Sequence, residues 1–475
     1  MKSIVLFPLV GFMAWVGGAA PFAVSFEGRP LAVHEARCSA LPLNQDWPGY
    51  QRPLKQTQVQ YFVSFDLDRP GTLKIESADP TFAQPVRVRP LSRGKDLRLE
   101  KPEQFVIEFG DGTTNRMPTA LHVFANPPFK YTHVPNEIYF GPGEHDVGVI
   151  APTNGQTVCI AEGATVYGSI FVDRAENVRI VGRGILDSSR VNRADRNTAI
   201  YRHVKSLGHA DGTAARACTN FQAFRCRNLY VEGVIFRDSP RWSFILRNEC
   251  DGVLVENVKL IGMWRYNSDG IDVCASRNVT IRNSFVRSYD DCFVARGVCL
   301  EEESGPVENV TIENCVLWCD WGKNLEVWTG GKPCVVRNVT ARNCQLVNVD
   351  MMACDVTCWG APTNTLITGI AFENLEIDVC APRWRCYNEF KKKIPFPYKP
   401  RSECELLHIT ARQQKTPCQV VIDGVSFTGI RFIDEMQTVP GLHFAMPENT
   451  GCIRNLRLEG LPPGTKTVRK GNAVF

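Results

Sequence analysis

Histidine is scarce in this chain, 8 in 475 residues, and no cysteine pair is matched by a histidine pair, so the sequence offers no framework for a zinc or other metal site. Charge of one sign is also lacking. The 54 Lys and Arg nearly cancel the 50 Asp and Glu, leaving +4, which excludes a dedicated binder of nucleic acid. Beyond the first twenty residues no apolar run is long enough to cross a bilayer, so membrane insertion of the mature chain is not expected. The later two thirds contain neither heptads nor amphipathic helical patterns, which excludes coiled coils and helical repeats. A compact cysteine framework is missing too: the 19 cysteines are odd in number and dispersed. Many, including Cys274, Cys292, Cys315 and Cys344, lie inside apolar runs and read as small core residues, with Cys354 and Cys358 as a candidate bridge. Nothing calls for a cofactor, and a monomer is expected.

The N-terminus does carry a signal. Lys2 precedes an apolar run from Ile4 to Val16 and the small residues Gly17-Gly18-Ala19-Ala20, the layout of a signal peptide spanning 1–23 and cleaved between about Ala19 and Ala23. The mature chain is therefore expected outside the cytoplasm, secreted to an extracellular or periplasmic space. Residues 24–139 alternate polar and apolar in short runs such as Gln58 to Leu67 and Gln104 to Gly110, separated by turn signals, which predicts a small β-sandwich-like domain.

After Phe140-Gly-Pro-Gly the pattern becomes a repeat that fills 140–475. Units such as Asn228-Leu-Tyr-Val-Glu-Gly233, Gly252-Val-Leu-Val-Glu-Asn257, Asn278-Val-Thr-Ile-Arg-Asn283 and Asn309-Val-Thr-Ile-Glu-Asn314 recur, with Asn or Gly at the turn. These residues tolerate the left-handed backbone conformation and so allow a sharp bend at one point of each unit. The spacings 257 − 233, 283 − 257, 314 − 283, 343 − 314 and 374 − 343 give 24, 26, 31, 29 and 31 residues, the range of stacked repeats. Short strands at that period predict an all-β fold, a right-handed parallel β-helix, with Asn257, Asn283, Asn314, Asn343 and Asn374 at one corner. The Asn-x-Thr sequons at Asn278, Asn309 and Asn338 are products of this repeat rather than glycosylation sites. Ala381 to Cys404, with Lys391-Lys-Lys393, reads as a solvated loop.

Within the repeat, Asp269 opens one short apolar run and Asp290-Asp291 opens the next, 290 − 269 = 21 residues on, so three carboxyl groups should meet on neighbouring parallel strands about 4.8 Å apart. Like-charge crowding opposes folding and is typical of chemistry. Two such acids across a glycosidic bond suffice for hydrolysis, one giving a proton and one activating water or attacking the sugar.

Asn267-Ser-Asp269-Gly, then Asp290-Asp291, together with Asp238-Ser-Pro-Arg-Trp-Ser one coil earlier, resemble the β-helical polysaccharide hydrolases of glycoside hydrolase family 28, the polygalacturonase family, over roughly residues 140 to 460. The β-rich segment ahead of the helix also resembles the related family 49, the dextranases. The resemblance implies Asp290 as general acid, Asp269 and Asp291 as the pair that activates water, inversion at the anomeric carbon, and a polysaccharide or oligosaccharide substrate. Two family motifs are missing. The coil after the Asp pair reads Cys319-Asp-Trp-Gly-Lys-Asn-Leu-Glu-Val-Trp328 where the family has Gly-His-Gly, and no uronate-binding Arg-x-Lys follows. Asn267, Tyr266, Arg296, Trp321 and Lys323 are the candidate substrate contacts. Among the nearby aromatics Trp264, Tyr266, Trp318, Trp321 and Trp328, Trp321 and Tyr266 are expected to be exposed. Asp272 and Glu326 read as structural. Two other classes fit less well: a β-helix polysaccharide lyase holding Ca²⁺ on the acids beside Arg296 or Lys323, and a non-catalytic carbohydrate-binding β-helix.

Overall fold

The computed structural model describes residues 20–40, 53–82, 84–110, 117–300, 303–349, 352–359, 364–379, 403–412, 419–435 and 437–473. Most of the expected leader and most of the Lys391–Lys393 loop lie outside these residues. Among them no helix is long and apolar enough to cross a membrane.

The chain winds into a right-handed parallel β-helix whose coils each contribute up to three strands. One coil runs Arg277–Arg282, Phe285–Ser288, Phe293–Arg296. The next runs Val307–Glu313, Val316–Cys319, Lys323–Thr329. Alternate side chains of each strand point inward, so equivalent positions stack from coil to coil. Val253, Val279, Val310, Val339, Ile370 and Val425 form one such column in the core.

The first and second strands of a coil are joined by a one-point bend. Asn257, Asn283, Asn314, Asn343 and Asn374 occupy it at φ of 50° to 55°. Each donates its backbone N–H to the coil below: Asn283 to Glu313 O at 3.1 Å, Asn314 to Arg342 O at 3.2 Å. The predicted corner is therefore present. A second asparagine column contains the sequons: Asn309 Nδ2 donates to Asn278 Oδ1, and Asn338 Nδ2 to Asn309 Oδ1, both at 3.0 Å. Their side-chain amides bond to one another, which gives the recurrence of these asparagines a structural reason.

An insertion after Ile185–Asp187 departs from the strand pattern, holding two short helices, Ala199–Ser206 and Asp211–Arg216. Apart from Cys452, the cysteines whose side chains are described are buried core residues. The Cys354–Cys358 bridge does not form, because both lie on the strand Met352–Cys358. Four residues of extended chain separate them by about 13 Å, twice the span a disulfide tolerates.

Ahead of the helix, two small sheets pack face to face. Val24, Phe26 and Leu73 of one meet Val63, Phe65, Phe105, Ile107, Leu121 and Val123 of the other. The second sheet presents its opposite face, Phe62, Val106 and Phe124, to Ile185, Ile235, Phe285 and Trp318 on the outer wall of the helix. This is the face formed by the middle strands of each coil, and each middle strand leads directly into the turn that precedes the third strand.

Candidate active site

The third strands stack in the order Ile271–Cys274, Phe293–Arg296, Lys323–Thr329, Met352–Cys358, Glu403–Ala411. The turns that open them carry the acids. Ile271 pairs with Phe293, so the coil closes in 293 − 271 = 22 residues, not 21. Asp269 therefore stands level with Asp291, two positions ahead of that pair, and Asp290 is displaced by one residue along the chain. The Gly270 N–H donates to the Asp291 carbonyl at 2.8 Å and locks this register. Two glycines make the close stacking possible: a Cβ on Gly270 would lie 2.3 Å from Cys292 O, and one on Gly322 would lie 2.6 Å from Asp291 N.

Asp290 is half-buried, whereas Asp269, Asp272, Asp291, Glu326 and Asp355 are buried. Three cations divide these carboxylates. Arg296 reaches Asp269 Oδ2 with Nη2 at 2.9 Å, Asp272 Oδ1 with Nε at 2.7 Å, and Asp291 Oδ2 at 3.9 Å. Lys323 Nζ forms a close pair with Glu326 and lies 3.7 Å from Asp291 Oδ2 and 3.8 Å from Asp355 Oδ2. His408 Nδ1 sits 2.9 Å from Asp355 Oδ1. The Lys323 N–H donates to Asp291 Oδ1 at 2.8 Å, and Asn267 Nδ2 to Asp290 Oδ2 at 3.4 Å. Asp269 Oδ1 is buried and takes no hydrogen bond from the protein.

Six carboxyl groups against Arg296 and Lys323, with His408 beside one of them, cannot all ionise in a buried setting. Burial and the neighbouring Asp291 charge push Asp290 up to about 7. Burial, Asp290 and Asp272 push Asp269 well above the ordinary carboxylate range, against the pull of Arg296. Burial raises Asp272 to about 6, with Arg296 opposing it. Glu326 is raised well above its usual value by burial and by Asp291. The cluster can thus hold a proton near neutrality beside an ionised carboxylate, the state a paired acid and base require.

Trp321 does not line an open subsite. It is 3% exposed and packs edge-on against Tyr289 at 4.9 Å, because the tight Asp-Trp-Gly turn folds it beneath the acids. Trp264 is buried and donates to Asp238 Oδ1 at 2.9 Å, and Trp318 is buried against the N-terminal sheet. Tyr266 is half-buried with the Arg193 guanidinium 5.9 Å from its ring. Arg296 and Lys323, expected to meet substrate, have carboxylate partners within the cluster. Sequence reasoning missed Asp355, His408 and Trp359. One signal could have found the first two: Asp272, Val294, Glu326, Asp355 and His408 occupy the same position of successive strands.

A family model described as glycosyl hydrolases family 28 matches residues 150–383. This stretch is similar to that family. Among curated relatives, the dextranase of Arthrobacter sp. (strain CB-8) is 26% identical over 267 residues, 51% of this chain and 40% of the relative. The exopolygalacturonase of Cochliobolus carbonum is 25% identical over 206 residues, 33% of this chain and 46% of the relative. The chain thus spans less than half the length of either relative. The solved structure of Dex49A from Penicillium minioluteum superposes with a TM-score of 0.52 at 13% identity, covering 86% of this chain and 87% of that one, and shows the shared fold.

Proposed function

We propose that the chain is a glycoside hydrolase that cleaves a polysaccharide with inversion, Asp290 protonating the leaving oxygen and Asp269 with Asp291 activating the attacking water. The observation that carries the reading is the combination of the level Asp269–Asp291 pair with Asp290, half-exposed, displaced along the chain and raised to about 7. A group ordinarily ionised above pH 4 is then still protonated at mildly acidic and neutral pH, as a general acid must be. The apolar leader from Ile4 to Val16 supports action outside the cytoplasm.

A lyase reading is not favoured: Ca²⁺ would have to displace Arg296 and Lys323, which lie between the carboxylates it would need. Proton NMR of the first-formed product tests the proposal. The expected product has the anomeric configuration opposite to that of the cleaved bond. Retained configuration, or an unsaturated product absorbing in the ultraviolet, would contradict it.

A further inference from the structure

Directly beyond the acids, on the side of the later coils, lies a cavity of about 260 Å³ lined by Lys323, Asp355, Thr357, Trp359, His408 and Arg412, among others. It is smaller than the roughly 300–1,000 Å³ of pockets that enclose drug-sized ligands, and it adjoins the cluster through Lys323, which touches both Asp291 and Asp355. We infer that this cavity is a binding subsite for one uncharged sugar ring, placed next to the cleaved bond by a wall of Trp359 and Arg412. The inference rests on the hydrolase reading and adds the substrate class and the residues that select it.

The wall is preorganised. The Arg412 guanidinium lies 3.7 Å from the Trp359 ring centroid, and the Trp328 ring meets Trp359 nearly at right angles, 78°, at 6.4 Å. A pyranose would pack its C–H face on the indole face that Arg412 does not cover. Opposite functional groups are also present: Thr357 and Thr410 hydroxyls 3.2 Å apart, the Asp355–His408 pair, and Glu405 can each exchange hydrogen bonds with sugar hydroxyls.

The charges decide against a uronate. Lys323 has Glu326, Asp291 and Asp355 around it, His408 is bonded to Asp355, and His443 lies 2.6 Å from Glu403. Arg412 is engaged with the indole. Asp355 and Glu405 line the cavity, and Asp291 and Glu326 stand behind Lys323. Arg412 keeps its charge in the stack, but the carboxylates in and behind the cavity outnumber Lys323 and Arg412, so a substrate carboxylate would meet like charge.

Titration calorimetry on the Asp290→Asn protein tests this, using isomaltohexaose, maltohexaose, cellohexaose and xylohexaose against hexagalacturonate. At least one neutral hexasaccharide is expected to bind about tenfold or more tighter than hexagalacturonate, and adding Trp359→Ala should weaken that binding by about tenfold, the loss typical of a central aromatic contact. Trp359→Tyr, which keeps the wall, should restore most of it and covers the case in which the alanine variant does not fold. The inference is overturned if hexagalacturonate binds as tightly as the best neutral sugar, if none of the neutral sugars binds, or if both Trp359 variants bind like the parent. Turnover by the wild-type protein is read separately. A neutral sugar that binds in a Trp359-dependent way and is never hydrolysed would refute the hydrolase mechanism while leaving the pocket assignment intact.

Discussion

Replacing Asp290 by Asn removes one proton and one charge while keeping the shape of the side chain. Its one described side-chain contact, from Asn267 Nδ2 at 3.4 Å, is long, and the residue is half-exposed. Loss of a negative charge beside Asp291 also relieves repulsion, so the folded state should be as stable as the parent or slightly more so. Activity should fall by about 10² to 10⁴ if Asp290 is the general acid, a barrier increase of about 2.7–5.4 kcal/mol at 1.36 kcal/mol per decade. The pH profile supplies a second, independent reading. Asp290 is raised to about 7, so its proton is lost as pH rises through that value, and wild-type kcat/KM should decline about tenfold per pH unit above it. In Asp290→Asn the alkaline limb should disappear and the residual rate run level through pH 7. Substrates with good leaving groups need little protonation and should lose least. Initial rates on a natural glycan and on an aryl glycoside, across pH 5 to 9, contain every comparison. Unchanged turnover, or an alkaline limb that survives the substitution, would refute the role assigned to Asp290.

Arg296→Gln takes the cation from Asp269 and Asp272, which raises both further; the base then ionises only at higher pH, and the acid limb of kcat/KM should move upward while the alkaline limb stays in place. A downward move would mean that Arg296 does not hold the base. Gly322→Ala places a Cβ 2.6 Å from Asp291 N and Oδ1 and should cost about 1–3 kcal/mol of stability, together with at least tenfold in kcat, read by thermal unfolding and initial rates. Asn314→Ala forces a residue at φ 54° that alanine disfavours by about 1–2 kcal/mol, whereas Asn314→Gly should cost less; the order of their unfolding midpoints checks the left-handed corner.

The β-helix was legible because its determinants are local and repeated. Asn283 or Asn314 alone would be an ordinary turn residue, but a left-handed residue recurring at coil length fixes where each coil bends. The acids were legible for the same reason, since Asp269 and Asp291 open equivalent strands. Their register was off by one residue, because the length of the turn before Phe293 is set by backbone contacts such as Gly270 N to Asp291 O, which leave no mark in composition. The aromatics were the least legible. Trp321 lies beside the acids in sequence, yet its turn folds it inward. Trp359 lies 359 − 291 = 68 residues after Asp291 and reaches the same groove because two further coils bring the strand Met352–Cys358 alongside Lys323–Thr329. Proximity in a β-helix runs across coils, so the residue next to a catalytic turn in sequence is a poorer guess than the one a coil later at the same level.

Among its described residues the N-terminal module carries no acid cluster of this kind, but it bears on the turn that holds Asp290. The strand Phe285–Ser288 runs straight into Asp290, and the module grips it from outside. Arg287, buried at the contact, pairs with Asp320 at 3.2 Å and donates from Nη1 to His122 Nε2 at 3.1 Å. His122 Nδ1 lies 2.8 Å from Tyr61 O, so it carries the proton and leaves Nε2 free to accept. Burial and then Arg287 lower the His122 pKa to about 3, which keeps this tautomer neutral throughout the range in which Asp290 titrates. Trp318 Nε1 donates to Asp320 Oδ1 at 2.9 Å and completes the network. Asp320 opens the turn that holds Lys323 against Asp291. With His122 held neutral, this network braces both turns in the range in which Asp290 titrates, and Asp290, half-exposed, is left on the side proposed to meet the sugar.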